Sequence, residues 1–209
     1  MKVLVIAPHP DDEAIGCGGA LSLHGERGDV VSAVFLTSGE LGLKTLPREQ
    51  AWQIRETEAR DACKTLAIND PEFLRLPDWT MGDDIAGAAA KLAPLLGLRQ
   101  PELIYLPHPN EWHPDHRASL PVLRAALAMS GGVRTELRGY EVWTPLAEYQ
   151  HVENITGVMA RKLRAVRKHA SQVKDWDYVR AVRGLNEYRG VMAGRCKFAE
   201  VFQDLSHVP

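Results

Sequence analysis

The chain runs KVLVIA over residues 2–7 and then turns abruptly polar in PHPDDEAIGCGG, residues 8–19. A short, unbroken apolar run rich in β-branched residues marks a strand covered on both faces, the kind found inside a parallel sheet. Such a strand commits the chain to layers that bury it from above and below. At its carboxyl end crowd His9, Asp11, Asp12 and Glu13. Adjacent carboxylates repel each other and each is costly to desolvate, so a positive partner is expected at that point.

The rest of the chain repeats the alternation. A helix is predicted over 13–27, with Asp11 or Asp12 as its cap. VVSAVFLT (30–37) reads as a second buried strand, followed by the loop SGELGLKTLPRE. Helical spacing of apolar and small residues covers 48–67. A short strand is expected over 72–76, and a helix over 83–98 that Pro94 kinks or shortens. ELIYL (102–106) is a strand closed by Pro107, and a helix follows from Pro114 to about Met129. GYEVW (139–143) is a further strand. Beyond it lie one short strand, His151–Ile155, and charged helical segments over 158–170 and 175–193. This order predicts an α/β protein, a Rossmann-like, mostly parallel sheet with helices on both faces. No repeat or linker interrupts it. The expected organisation is one domain, 1–209, with an α/β core over 1–145 and a C-terminal extension, 146–209, packed on it.

Composition narrows the function classes. A formal net charge of −2 over 209 residues gives no electrostatic case for nucleic acid or an anionic membrane. No apolar run approaches the ~20 residues of a membrane span, and MKVLVIAPHPDD lacks the pattern of a signal peptide. Three scattered cysteines, Cys17, Cys63 and Cys196, argue against a disulfide framework and suit a reducing cytoplasm. The expected partner is a small molecule; a homo-oligomer stays open.

In open parallel sheets ligands bind beyond the carboxyl ends of the strands. Two polar clusters fall there: HPDDE after the first strand and PHPNEWHPDHRA (107–118) after the strand ending near Leu106. A single metal ion explains both. His9 and Asp12 are close enough to bind one ion from a loop, with His116 or His113 as a third ligand. Three protein ligands and an open position are the pattern of a catalytic zinc site.

The pair PHPDDE (8–13) and HPDH (113–116) resembles the LmbE-like/PIG-L family of zinc-dependent N-deacetylases. TSGELG (37–42), RETEARDA (55–62), LPD (76–78) and YRGVMAGRCKFAEVF (188–202) extend the resemblance over nearly the whole chain. Members remove acetyl groups from N-acetylglucosamine carried on another molecule. The resemblance implies His9, Asp12 and His116 as zinc ligands, with Fe²⁺ as an alternative ion. It implies Asp11 as general base, His113 as the residue that stabilises the oxyanion or protonates the amine, and Asp115 as the residue that orients it. Ion pairing with Asp115 would raise the His113 pKa. Glu111-Trp112 stand where some members carry Tyr-Gly.

Arg55, Asp78 and Trp112 are the expected substrate-binding residues, with Arg55 alternatively meeting a site carboxylate and Trp79 a further sugar-stacking candidate. Trp52, Trp143 and Trp176 are read as packing. Glu13 supports the helix start, Glu40 belongs to its loop, and Cys17 is a buried small residue. His24, His108, His151, His169 and His207 are read as ordinary histidines. Four rivals stand beside a deacetylase. One is an amidase cutting a larger amide such as a thiol conjugate, and another is a metal-binding module without catalysis. A nucleotide-binding module based on GCGG (16–19) would need those glycines in the strand-to-helix turn. A non-haem iron oxygenase shares the two-His, one-carboxylate set but not the scaffold.

Overall fold

The computed structural model describes residues 1–206; His207 lies outside the described residues. Strand β1 (Lys2–Ala7) is central, and its apolar run divides between two faces. Val3, Val5 and Ala7 enter one hydrophobic core, while Leu4 and Ile6 enter the other. This is the period-2 alternation of a strand with both sides covered. β2 (Val30–Thr37) pairs with β1 in parallel, and β3 (Asn69–Leu76) pairs with β2 in parallel. On the other side of β1 lie β4 (Leu103–Pro107) and then β5 (Glu136–Tyr140), both parallel. After building outward through β2 and β3, the chain returns to the far flank of β1. The β1/β4 boundary is therefore a topological switch point, where open sheets leave a crevice.

Helices α1 (Asp12–Glu26) and α2 (Arg48–Leu66) cover the face served by Val3 and Val5. Helices α3 (Ile85–Arg99) and α4 (Pro114–Met129) cover the opposite face. α3 passes through Pro94 and ends only at Arg99, so that proline does not shorten it. α1 departs from helical geometry at Cys17 (φ −138°, ψ 16°). The glycines of GCGG all lie within α1; a Cβ on Gly16 would run into the Tyr140 ring. They serve close packing, and no glycine-rich phosphate turn is formed.

Three features differ from the sequence expectation. β3 begins at Asn69, three residues early. β5 spans Glu136–Tyr140 and stops before Val142 and Trp143, because the Glu111 carboxylate takes their N–H groups. The last third adds two strands. β6 (His151–Asn154) pairs antiparallel with β7 (Ala199–Asp204), and β7 pairs antiparallel with β5. The full order is β3-β2-β1-β4-β5-β7-β6. β7 has no counterpart in the sequence expectation. Helices α5 (Met159–Lys168), α6 (Ala170–Val173) and α7 (Tyr178–Arg189) complete the chain, with α5 against α1 and α2. Among the described residues no helix is long and apolar enough to cross a membrane.

A buried ion pair ties the last third to α1. Lys162 Nζ donates to Glu200 Oε1 at 2.6 Å, and Glu200 also accepts the N–H groups of Gly19 and Ala20, each at 2.7 Å. Those two donors follow the break at Cys17 and need an acceptor that the helix cannot give. Lys162→Met strands the Glu200 charge, and the expected loss is about 3–5 kcal/mol, read from the urea midpoint. Lys162→Met/Glu200→Leu does not restore stability, because the two N–H groups then lose their acceptor.

Candidate active site

The loop from Pro8 to Asp11 leaves β1 at the switch point, and the segment from Pro107 to Pro114 leaves β4 beside it. Their side chains converge. His9 Nδ1 lies 3.3 Å from Asp12 Oδ2, His116 Nε2 lies 3.2 Å from the same oxygen, and the two ring nitrogens are 3.3 Å apart. Donor atoms bound about 2.0–2.1 Å from a common tetrahedral centre stand about 3.3–3.4 Å from one another, so the triangle has the size a zinc-like ion requires. Asp12 and His116 are fully buried, and both Asp12 Oδ1 and His116 Nδ1 lack a hydrogen-bond partner. A buried carboxylate left this way is costly unless a cation accompanies it.

The far side of His9 supports the same reading. Its Nε2 faces Asp115 Oδ2 at 3.1 Å and Asp78 Oδ1 at 3.2 Å. Two carboxylates there hold the proton on Nε2, which leaves the Nδ1 lone pair for the triangle; a carboxylate behind a ligating imidazole is the usual support for a metal-bound histidine. His9 and His116 also gather with His113, and His9 with Asp78 and Asp115, inside 4.8 Å. The first alternative leaves the buried Asp12 carboxylate without the cation it needs, and His113 Nδ1 already accepts the Asp115 N–H at 3.3 Å. The second uses the Nε2 edge that carries the proton. The His9–Asp12–His116 set is free of both conflicts.

Without a cation, burial would lower the His9 pKa, but hydrogen bonds to Asp115, Asp12 and Asp78 outweigh it and hold it well above the usual imidazole value. Burial works against the Asp12 anion, and His116 and His9 overcome it, holding its carboxyl well below the usual range. The triangle thus stabilises positive charge at its centre, whether proton or metal.

Asp11 turns away from this triangle. Its backbone has φ 128°, a region a non-glycine residue enters at a cost of about 1–3 kcal/mol. Its Oδ2 pairs with Arg55 Nη2 at 3.1 Å. Arg55, buried on α2, also donates to the carbonyls of Pro10 and Gly39. Gly39 has φ 61° and a Cβ there would strike the guanidinium, so glycine is required by both backbone and space. Burial pushes the Asp11 carboxyl up to about 6, against the pull of Arg55. The neighbouring carboxylates therefore have different partners, Arg55 for Asp11 and two imidazoles for Asp12.

These groups open into a cavity of about 700 Å³, within the range that holds drug-sized ligands. His9, Asp11, Arg55, Asp78 and His113 reach it, and its walls carry Trp79, Trp112, Trp143, Trp176 and Tyr178. Trp79 packs edge-on to His113 at 4.6 Å between centroids. Trp112 and Trp176 are 56% and 69% exposed, which leaves apolar faces open at the cavity wall.

The profile of the PIG-L family, GlcNAc-PI de-N-acetylase, matches residues 4–127. The probable N-acetyl-α-D-glucosaminyl L-malate deacetylase 2 of Bacillus cereus is 32% identical over 184 residues, 82% of this chain and 84% of that protein. The chain belongs to the PIG-L family. The diacetylchitobiose deacetylase of Thermococcus kodakarensis is 30% identical, over 95% of this chain and 81% of that one. The crystal structure of a conserved protein of Thermus thermophilus superposes with a TM-score of 0.85 at 29% identity, covering 98% of this chain and 94% of that one.

In this PIG-L member the two motifs meet as the sequence reading expected, with several corrections. Asp11 occupies the cap position of α1, but no side-chain capping bond forms, because its carboxylate is on Arg55. The Asp115 carboxylate does not pair with the His113 ring. It accepts His9 Nε2 and the N–H groups of Trp79 and Met81. The His113 pKa is accordingly not raised: burial, then the His9 and His116 rings, push it down to about 4. Arg55 meets a site carboxylate, the second of its two expected roles. Asp78 accepts the Leu41 N–H at 2.8 Å and supports His9. Trp143 packs against Tyr178 as expected and also lines the cavity, as does Trp176.

Two buried residues escaped the sequence reading. Glu111 takes the N–H groups of Val142, Trp143 and Thr144, and its Oε2 lies 3.9 Å from His116 Nδ1. It stands within PHPNEWHPDHRA, where two residues from His113 was the available signal. His169 pairs with Glu13 at 2.9 Å and had no such signal, standing 156 positions away.

Burial lowers the His169 pKa, but Glu13 and then Asp11 outweigh both burial and Arg55, and its folded value is raised above 6.5. A raised histidine contributes stability that is complete below the unfolded value of about 6.5 and is lost as pH rises through the folded value. Urea unfolding across that window should lose this increment in the wild type. His169→Gln should flatten the profile.

Proposed function

We propose that this protein is a metal-dependent hydrolase that removes the N-acetyl group from an N-acetylglucosamine conjugate. What carries this reading is the convergence of His9 Nδ1, Asp12 Oδ2 and His116 Nε2 within 3.2–3.3 Å of one another, beside a carboxylate that is not part of the triangle. The names of the Bacillus and Thermococcus relatives support the substrate class. His9, Asp12 and His116 would hold the ion; two imidazoles and one carboxylate suit Zn²⁺, and Fe²⁺ accepts the same set. When bound, such an ion supplies Lewis acidity, which acidifies water and polarises an amide carbonyl.

The chain's own groups do the rest. Asp11 reaches the cavity with its carboxylate fixed by Arg55, placed to take a proton from the attacking water. Burial raises its carboxyl pKa above the usual range, which favours taking up a proton and handing it on. His113 is neutral, and since its Nδ1 accepts the Asp115 N–H, its proton sits on Nε2. That N–H is a donor for the oxygen that becomes negative as the carbonyl is attacked. A neutral imidazole is a poor acid, so Asp11 returns the proton to the departing amine. The carbon–nitrogen bond breaks, and acetate and the free amine result. Trp79 and Trp112 offer apolar faces to the sugar ring beside His113.

Acetate release from N-acetylglucosamine conjugates, assayed before and after chelation, tests the reading. Chelation should abolish release and added Zn²⁺ restore it. Asp11→Asn should lower kcat by about 10²–10⁴-fold with metal content intact. His116→Ala should lose both metal and activity, measured by elemental analysis and turnover. Full turnover in the metal-free protein would end the proposal.

A further inference from the structure

The backbone of Asp11 is held from a distance. At φ 128° its N–H points to Glu13 Oε2, 3.0 Å away. The other oxygen of Glu13 meets His169 Nε2 at 2.9 Å. His169 belongs to the last third of the chain, at the junction of α5 and α6, and both it and Glu13 are buried. The segment that carries it is pinned to α2: the N–H and Oγ of Ser171 each contact the Glu58 carboxylate at 2.7 Å. The next residue, Gln172, lines the same cavity as Asp11.

We infer that His169, acting through Glu13, is a positioning residue that keeps Asp11 in its catalytic orientation; this rests on the reading of Asp11 as the base. Protonation of His169 strengthens the pair, but the pair as a whole is a weak stabilising device compared with apolar residues. His169 Nδ1 is buried without a partner, and a buried pair of this kind gains little over apolar residues of the same volume. An apolar pair, however, could not accept the Asp11 N–H. That acceptor secures the unusual backbone turn, and the turn sends Asp11 toward Arg55 and the cavity while Asp12 stays with His9 and His116. The last third of the chain thereby reaches the reacting centre without touching substrate.

His169→Ala should lower kcat about 10–100-fold, the scale of a small misplacement of a catalytic group, with KM and bound metal unchanged. His169→Gln, whose amide can still donate to Glu13, should retain most of the wild-type kcat. His169→Phe, which keeps an aromatic ring without a donor, should behave like His169→Ala, and its urea midpoint shows whether it folds. Crystal structures of the Ala and Phe variants read the Asp11 φ directly, whatever reaction the enzyme runs. Relaxation to a negative φ is expected. An unchanged φ in a folded variant, or wild-type kcat in both, overturns the inference. Absence of acetate release from the wild type would sink the deacetylase reading alone, because the backbone angle still decides the positioning role.

Discussion

Two buried carboxylates one bond apart in sequence, Asp11 and Asp12, are the constraint around which the site is arranged. Neither can stay ionised in a low-dielectric interior without a positive partner, and their mutual repulsion is relieved when each has its own. The structure separates them. Asp12 faces two imidazoles and completes a triangle sized for a dication; Asp11 faces a guanidinium that cannot lose its proton. The separation needs a backbone turn that ordinary residues avoid, and two contacts hold it: Arg55 on the side chain and Glu13 on the amide.

The supporting groups follow the same logic outward. His9 is oriented by Asp115 and Asp78, and Asp115 is fixed in turn by the N–H groups of Trp79 and Met81. Glu111 stands behind His116 and organises residues 142–144. Each charged group has a polar partner that is itself anchored, which lets so many ionisable side chains share a buried crevice. The crevice is available because strand order reverses between β1 and β4, leaving the two loops side by side without a covering helix.

Much of this was legible in the chain. KVLVIA could only be a strand buried on both faces, and two clusters at strand ends could meet only if those strands were neighbours. The identity of the convergent residues followed from short motifs. What the sequence could not display was which atom each side chain offers. Asp115 stands two residues from His113, which suggested a pair, yet helix geometry turns its carboxylate to His9 and leaves only its amide for His113. GYEVW looked like a strand by composition, but a buried glutamate from another loop claims its N–H groups. β7 forms by pairing with β5 and β6, and His169 meets Glu13 from 156 positions away, contacts that local pattern does not display.

The division between the two ends of the chain has a functional consequence. Residues 4–127, those matching the family profile, contain the His9–Asp12–His116 triangle, Asp11 and His113. The last third contributes Trp143, Gln172, Trp176 and Tyr178 to the cavity wall. Chemistry on an acetamide is the same whatever the sugar is attached to, so the first set has little freedom to vary. Under the proposed function the wall would meet the part of the substrate that differs between conjugates, and it is built from loop and helix-end positions, which tolerate change. Aromatic faces there favour a ring or an apolar group over a compact polyanion, which would need cations the wall supplies only at Lys44 and the already committed Arg55. Under the proposed function, discrimination between conjugates therefore falls to the segment that β6 and β7 tie onto the edge of the sheet.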